Sequence, residues 1–382
     1  MAILMLNAGS SSLRFALFDV KLKRLYKGHI DAIGQKTCQF RRTFDDGSEE
    51  KNSVKAKNHQ EALDYGLKRL QLDGAVKNLK EINKVGHRVV HGGESFKKAT
   101  KLTPGVIATI KKLSELAPLH NPANLTAIEA CKKLLPKAKH TAIFDTAFHQ
   151  TLPPKAFLYG LPYELYTKKK IRRYGFHGTS HQYVAQEAVK ILNNKHASLI
   201  TCHIGNGVSL CAIKDGISLD TSMGFTPLEG PLMGTRSGTI DPAIIFHLLE
   251  KKSPADVHQL LEKESGFKGL SQLGSDVRTL WANKRSPGTR RTFDVFSYQM
   301  AKIIYSYFAA LGGPPDALVF TAGIGENAFY LREQICAYFK SFGLKLDPRA
   351  NKKNAMQISH RNSFLPVFVI PTNEELQMAK QV

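Results

Sequence analysis

Ala2-Ile3-Leu4-Met5-Leu6-Asn7-Ala8-Gly9-Ser10-Ser11-Ser12-Leu13-Arg14-Phe15-Ala16-Leu17-Phe18 stands almost at the start of the chain. An apolar run, a small-residue turn and a second apolar run read as strand, glycine turn, strand. The pattern returns near mid-chain: Ser198–Cys202 reads as a strand, His203-Ile204-Gly205-Asn206-Gly207 as a glycine turn, and Val208–Ile213 as the returning strand. Aligned on the turns, Gly9 falls on Gly205, Ala16 on Ala212, Leu17 on Ile213 and Asp19 on Asp215. A recurrence at half-length points to an internal duplication.

Outward from these segments, strands and helices alternate. The reading places further strands within Lys27–Phe44, a helix over Gln60–Gln71 and a buried strand over Ile82–Val90. It places helices from Pro104 to about Leu116 and over Leu125–Leu135, then a strand at Thr141–Phe144. In the second half, helices are expected from Pro242 to about Lys251 and over Phe293–Leu311. The strand Ala317–Phe320 leads into a third glycine turn, Gly323-Ile324-Gly325-Glu326-Asn327, before a last strand at Phe364–Ile370 and a helix from Glu374. This alternation makes an α/β protein, and 382 residues suit two domains.

Composition excludes several classes. Hydrophobic content of 42% and charged content of 23% are ordinary for a globular chain. The apolar start is too short for a signal peptide or a membrane span. Five cysteines with no CxxC pair suit a reduced, cytoplasmic protein. The net charge of +22 is spread over separate stretches, without zinc-finger spacing or an aromatic-interleaved basic run. It is read as solvated surface, with no nucleic-acid or membrane partner.

Glycine turns between strands let backbone N–H groups approach phosphate oxygens with no Cβ in the way. Three of them point to a nucleotide. There is no P-loop and no protein-kinase motif set. Gly323-x-Gly325-x-x-Ala328 with Asp347 formally matches a dinucleotide fingerprint. A dehydrogenase, however, leaves the other two turns unexplained.

Eight segments in order carry a sharper signal. They are Leu6–Phe15, Gly86–Gly93, Ala117–Pro122, Phe144–Phe148, Tyr174–His181, Asp220–Gly230, Thr321–Asn327 and Pro371–Glu375. Together they resemble the acetokinase (acetate kinase) family over essentially the whole chain. The resemblance implies a duplicated actin-like, ribonuclease H-like α/β fold of two domains with the active site in the cleft between them. The domains would be 1–147 with 371–382, and 148–370. It also implies reversible phosphoryl transfer from ATP to acetate, with propionate or another short-chain acid as the alternative acceptor, in a homodimer. The reading from a different class is an actin- or Hsp70-like ATP-driven switch, which has no need of an acid pocket.

The site residues follow from the same resemblance. Asp145, His177, Arg236 and Arg88 are the catalytic set. Arg88, Val90, Leu119, His120, Phe176 and Pro227 would surround the acid. Arg14, His203, Ile204, Gly205, Asn206 and Gly207 would meet the nucleotide, as would Asp276, Val277 and Arg278 and the run Gly323, Ile324, Gly325, Glu326 and Asn327. Asn7 and Glu374 would hold Mg²⁺, with Mn²⁺ as a substitute. At position 14 the family usually has Lys, so Arg14 replaces a point charge by a planar fork.

Overall fold

The computed structural model describes residues 1–118 and 120–382. Two compact units emerge, Met1–Ala147 with Asn373–Val382, and Phe148–Thr372. In the first unit β1 (Ala2–Ala8), β2 (Ser12–Asp19), β3 (Arg24–Asp31), β4 (Cys38–Thr43), β5 (Glu49–Val54), β6 (Ile82–Val89), β7 (Thr100–Lys101) and β8 (Lys139–Phe144) form one sheet. Its order is β5-β4-β3-β2-β1-β6-β8-β7. In the second unit β9 (Ser198–Ile204), β10 (Val208–Lys214), β11 (Ile217–Thr221), β12 (Ala317–Thr321) and β13 (Val367–Val369) are ordered β11-β10-β9-β12-β13.

The duplication is visible in these orders. In each unit a three-strand antiparallel meander is extended by two strands parallel to its first, β3-β2-β1-β6-β8 matching β11-β10-β9-β12-β13. The match over the hairpins needs one correction. The first turn is closed by Gly9 N donating to Ser12 O at 2.9 Å, the second by Gly205 N donating to Gly207 O at 3.0 Å. The second loop is therefore one residue shorter. Asn7 pairs with Arg14 and His203 with Ser209, so Ser209 is the counterpart of Arg14. Beyond the turn, Ala16 corresponds to Cys211, and Asp19 to Lys214 rather than Asp215.

Strand alternation assigns the core faces. Leu4, Leu6, Leu13, Phe15 and Leu17 pack with Leu63, Leu67 and Leu70 of the helix His59–Leu72 and with Ala127 and Cys131 of the helix Asn121–Leu134. The opposite face, Ile3, Met5, Ala16 and Phe18, is covered by Met378 and Ala379 of the helix Glu374–Ala379. Burial on both faces explains why β1 reads as a continuous apolar run. In the second unit, Val184, Ala185 and Ala188 of the helix Gly178–Leu192 pack on Leu199, Ile213 and Val319. The long helix Pro287–Leu311 packs on β9, β10 and β11. Among the described residues, no helix is long and apolar enough to cross a membrane.

Candidate active site

Because β1, β6 and β8 run parallel, their carboxyl ends meet at one edge of the first sheet. Asn7 stands near the end of β1, Arg88 near the end of β6, and Asp145 just beyond β8. Arg88 donates from Nε to Asp145 Oδ1 at 2.9 Å and from Nη2 to Asp145 Oδ2, a planar fork. Its Nη1 donates to Asn7 Oδ1 at 3.0 Å. Asp145 is buried, and Arg88 keeps 21% of its side chain exposed. One N–H on each of Nη1 and Nη2 has no partner among the described residues and can receive an anion.

Glu374 opens the helix Glu374–Ala379, whose N-cap is Asn373, accepting from Leu376 N at 3.0 Å. Burial pushes the Glu374 carboxyl up to about 7; Asp145 and Glu375 push the same way, while Arg88 and Arg14 oppose them. A carboxyl near other carboxylates is an oxygen donor of the kind a hard divalent cation takes, and the Asn7 amide oxygen, on the other side of Arg88, is a second. Arg14 is exposed on β2 and sits 3.5 Å from His29 Nε2 through its Nε. His29 is itself bound to Asp31 at 2.8 Å.

Val90 is held through its backbone: Val90 N donates to Asn124 Oδ1 at 3.1 Å, and Asn124 Nδ2 donates to Ala8 O at 2.8 Å. One buried amide thus ties the ends of β1 and β6 together. Asn121, one turn earlier on the same helix, makes both bonds to the His91 backbone at 3.1 Å. His120 is the N-cap of that helix and makes no side-chain capping bond. Leu119 lies outside the described residues.

In the second unit His177 precedes the helix Gly178–Leu192 in the left-handed region, at φ 56°. Its ring stacks on His203 with centroids 4.1 Å apart. A Cβ built on Gly207 would lie 3.3 Å from Arg236 Nη1 and 3.4 Å from His177 Nε2, so both donors converge on that glycine. Glu262 Oε2 accepts from Arg236 Nε at 3.0 Å, and the carbonyl of Pro227 accepts from its Nη1 at 3.3 Å. The segment carrying Pro227 is pinned in turn. Arg173 donates to the Thr221 carbonyl at 3.0 Å and to Glu229 at 2.6 Å, and Tyr159 donates to Glu229 at 2.5 Å. Phe176 is buried, and its carbonyl accepts from His149 Nε2 at 3.0 Å.

Beside Gly205 and Asn206 opens a cavity of about 870 Å³, bounded also by Asp276, Val277, Arg278, Gly323, Ile324 and Asn327. Its size is that of a site for a drug-sized ligand. One wall is aromatic, with Trp281 stacked on Tyr330 at 3.8 Å between centroids and Phe329 beside them. Asp276 and Arg278 form an exposed ion pair with Nη2–Oδ2 of 2.7 Å. The third glycine segment is not a turn but the helix Ala322–Asn327, entered through Ala322 at φ 66°. Glu326 points elsewhere, its Oε1 accepting from Thr372 N at 3.0 Å. The Gly325 and Glu326 carbonyls accept from the wholly buried Arg332 at 2.7 and 2.9 Å.

The expected residues therefore gather in two groups. Asn7, Arg88, Asp145 and Glu374 form one in the first unit; His177, Arg236 and Gly207 adjoin the cavity residues in the second. Glu262, Asn124, Trp281, Tyr330 and Arg332 were not singled out in the sequence. The lone tryptophan and the Asn121/Asn124 spacing on a helix were the available signals.

The chain matches the acetokinase family over residues 2–380. It is 47% identical to the acetate kinase of Thermotoga maritima, covering 100% of this chain and 97% of that protein. The crystal structure of Porphyromonas gingivalis acetate kinase superposes with a TM-score of 0.92 at 39% identity, covering 99% of this chain and 98% of that one. That of a propionate kinase from Francisella tularensis gives 0.93 at 39% identity, covering 100% and 98%. With fold, motif order and full-length similarity in agreement, the chain belongs to the acetokinase family.

Proposed function

We propose that this protein transfers the γ-phosphoryl group of ATP reversibly to acetate, giving acetyl phosphate and ADP. The observation that carries the reading is the Arg88 fork, which is locked by Asp145 and Asn7 yet keeps one N–H on each terminal nitrogen for a carboxylate. A carboxylate oxygen of acetate attacks the γ-phosphorus in line, a new P–O bond forms, and the bond to the bridging oxygen of ADP breaks. No proton has to move. The protein's task is positioning and charge neutralisation.

Each group has a part. Arg88 holds the acetate carboxylate and Asp145 orients Arg88. Arg236 and the Nε2 edge of His177 meet the charge that develops on the equatorial phosphoryl oxygens. The nucleoside lies in the cavity beside Trp281 and Tyr330, with its phosphates near Gly205–Gly207 and Gly323. Asn7 and Glu374 would hold Mg²⁺ or Mn²⁺, which neutralises charge on the β- and γ-phosphate oxygens when bound. Residues 1–147 with 371–382 serve the acceptor and the metal, and 148–370 the nucleotide. The resemblance assigns Val90, Leu119, His120, Phe176 and Pro227 to the acid, and on this reading they would select its apolar end.

Propionate is the second reading, favoured by the likeness to a propionate kinase. One methylene discriminates by only about 1–3 kcal/mol. The test is acetyl phosphate formation with ATP and Mg²⁺, compared across acetate, propionate and butyrate as kcat/KM. No acyl phosphate from any of them rejects the kinase reading. ATP hydrolysis independent of acid would instead favour an ATP-driven switch.

The helix Pro242–Leu249 buries none of its residues and exposes Ile244 and Phe246, the latter 71%. We read this face as one half of a homodimer contact. Phe246→Glu is expected to give a monomer by light scattering, and an unchanged mass would reject that face. The five cysteines are all buried and unpaired, which suits the cytoplasm.

A further inference from the structure

Behind His177 runs a line of hydrogen bonds that phosphoryl transfer does not touch. His177 Nδ1 is 2.9 Å from Ser209 Oγ, Ser209 Oγ is 2.7 Å from His181 Nε2, and His181 Nδ1 is 2.7 Å from Thr201 Oγ1. His177 and His181 are one helical turn apart at the start of the helix Gly178–Leu192. Thr201 on β9 and Ser209 on β10 come from the sheet beneath it. Thr201, Ser209 and His181 have no solvent exposure.

The direction of this line is decided by proton counting. Burial holds His181 well below its ordinary pKa, and His149 and His203 act the same way, so its ring is neutral with one N–H. Ser209 has a single proton and two imidazole neighbours. It donates to one and accepts from the other. Suppose His181 carried its proton on Nδ1. It would then donate to Thr201, and the Thr201 hydroxyl hydrogen would be buried without an acceptor, since His181 is its sole hydrogen-bond partner among the described residues. An orphaned buried donor forfeits its hydration with nothing in return, and that disfavours this tautomer. With the proton on Nε2, every hydrogen in the line has an acceptor. Thr201 donates to His181 Nδ1, His181 Nε2–H donates to Ser209, and Ser209 donates to His177 Nδ1.

We infer that Thr201, His181 and Ser209 are positioning residues that fix His177 as the Nε2–H tautomer, a neutral imidazole whose N–H donor faces Gly207 beside Arg236. The opposite tautomer would present a lone pair to phosphate oxygens, and the ring would have to become a cation to donate. This inference rests on the proposed role of His177 at the phosphoryl group. Thr201 is thus the far end of a donor relay that reaches the site through three side chains, each bond polarising the next. No group is consumed and no proton is transferred.

The test is carried out on the full chain labelled with ¹⁵N-histidine. The two-bond ¹⁵N–¹H pattern of His177, identified by its loss in His177→Gln, reports the tautomer directly. The expected wild-type pattern is neutral and protonated on Nε2. Thr201→Val keeps the shape and removes the hydroxyl, so a measurable share of His177 should move to the Nδ1–H form. Its kcat should fall about tenfold or more, as when the group that holds a catalytic imidazole in its tautomer is lost, with KM for acetate and ATP unchanged. Thr201→Ser should restore both, and Ser209→Ala should disturb both if Thr201→Val folds poorly. A wild-type His177 on Nδ1–H, or a Thr201→Val protein with the wild-type pattern and kcat, overturns the inference. Full activity in His177→Gln would remove the role at the phosphoryl group, and the inference with it. A failed tautomer beside an inactive His177→Gln sinks the inference alone.

Discussion

Arg88 and Asp145 are a forked ion pair, and the Asp145 end of it is buried. Removing one partner of a buried pair strands the other, at about 3–5 kcal/mol. Arg88→Ala and Asp145→Ala should each destabilise the protein by an amount of that order. The double variant should lose clearly less than the sum, with a coupling of about 2 kcal/mol in denaturant unfolding. Additive losses would mean that the fork does not hold the site together. Glu374 behaves in the opposite sense. Its carboxyl is pushed up to about 7 chiefly by burial, so above that pH the fold carries a charge it disfavours. Glu374→Gln removes that charge and is expected to raise the thermal midpoint at pH 8. The same change should raise the Mg²⁺ concentration needed for half-maximal activity by at least about tenfold. A lower midpoint, or an unchanged Mg²⁺ requirement, contradicts this account.

At the level of elements, the exit from β12 shows what local sequence conveys and what it leaves out. Thr321–Asn327 was legible as a glycine-rich connection, because an apolar strand stops at small residues. Its form as a helix was not, since the carbonyls of Gly325 and Glu326 are fixed by Arg332 and those of Asn351 by the same guanidinium. Arg332 is a buried cation that binds only neutral oxygens, and burial lowers its pKa to about 10. Arg332→Met should therefore cost about 3 kcal/mol of stability and raise KM for ATP before that for acetate; an unchanged ATP KM would reject a nucleotide role for the segment that Arg332 holds. The motif residues Arg88, Asp145 and His177 could be named from the sequence because they sit in contiguous runs, and Arg236 because it follows closely on another. Glu262, Asn124 and Ser209 could not, because each meets its partner only through folding. The hairpins give the same lesson in register. Gly9 and Gly205 align by eye, but the one-residue difference in loop length appears only in the strand pairing.

For the molecule as a whole, buried imidazoles set the response to acid. Burial lowers His91 and His149 to about 4 and His87 to about 3, half-buried His29 is brought to about 4 by burial together with Arg14 and Arg41, and in the unfolded chain each returns to about 6.5. Between those values the unfolded state binds the extra protons, so stability is present above 6.5 and is lost as pH falls toward 4. Each group contributes a slope of up to about 1.4 kcal/mol per pH unit. Glu374 opposes the trend, but as one group against four. The thermal midpoint should be several degrees lower near pH 5 than near pH 7.5, and equal midpoints would contradict neutral burial of these rings. One feature of the first unit governs a different stage in the protein's life. Met378 and Ala379 cover the Ile3–Met5 face of its sheet, and Lys84 Nζ donates to the Val382 carbonyl at 2.7 Å. During synthesis, β1 to β8 leave the ribosome long before the residues that cover them. The nascent chain must carry a bare apolar sheet face while the entire second unit is translated. Chains stalled anywhere in that interval expose the same surface, which makes them natural clients for chaperones and for degradation.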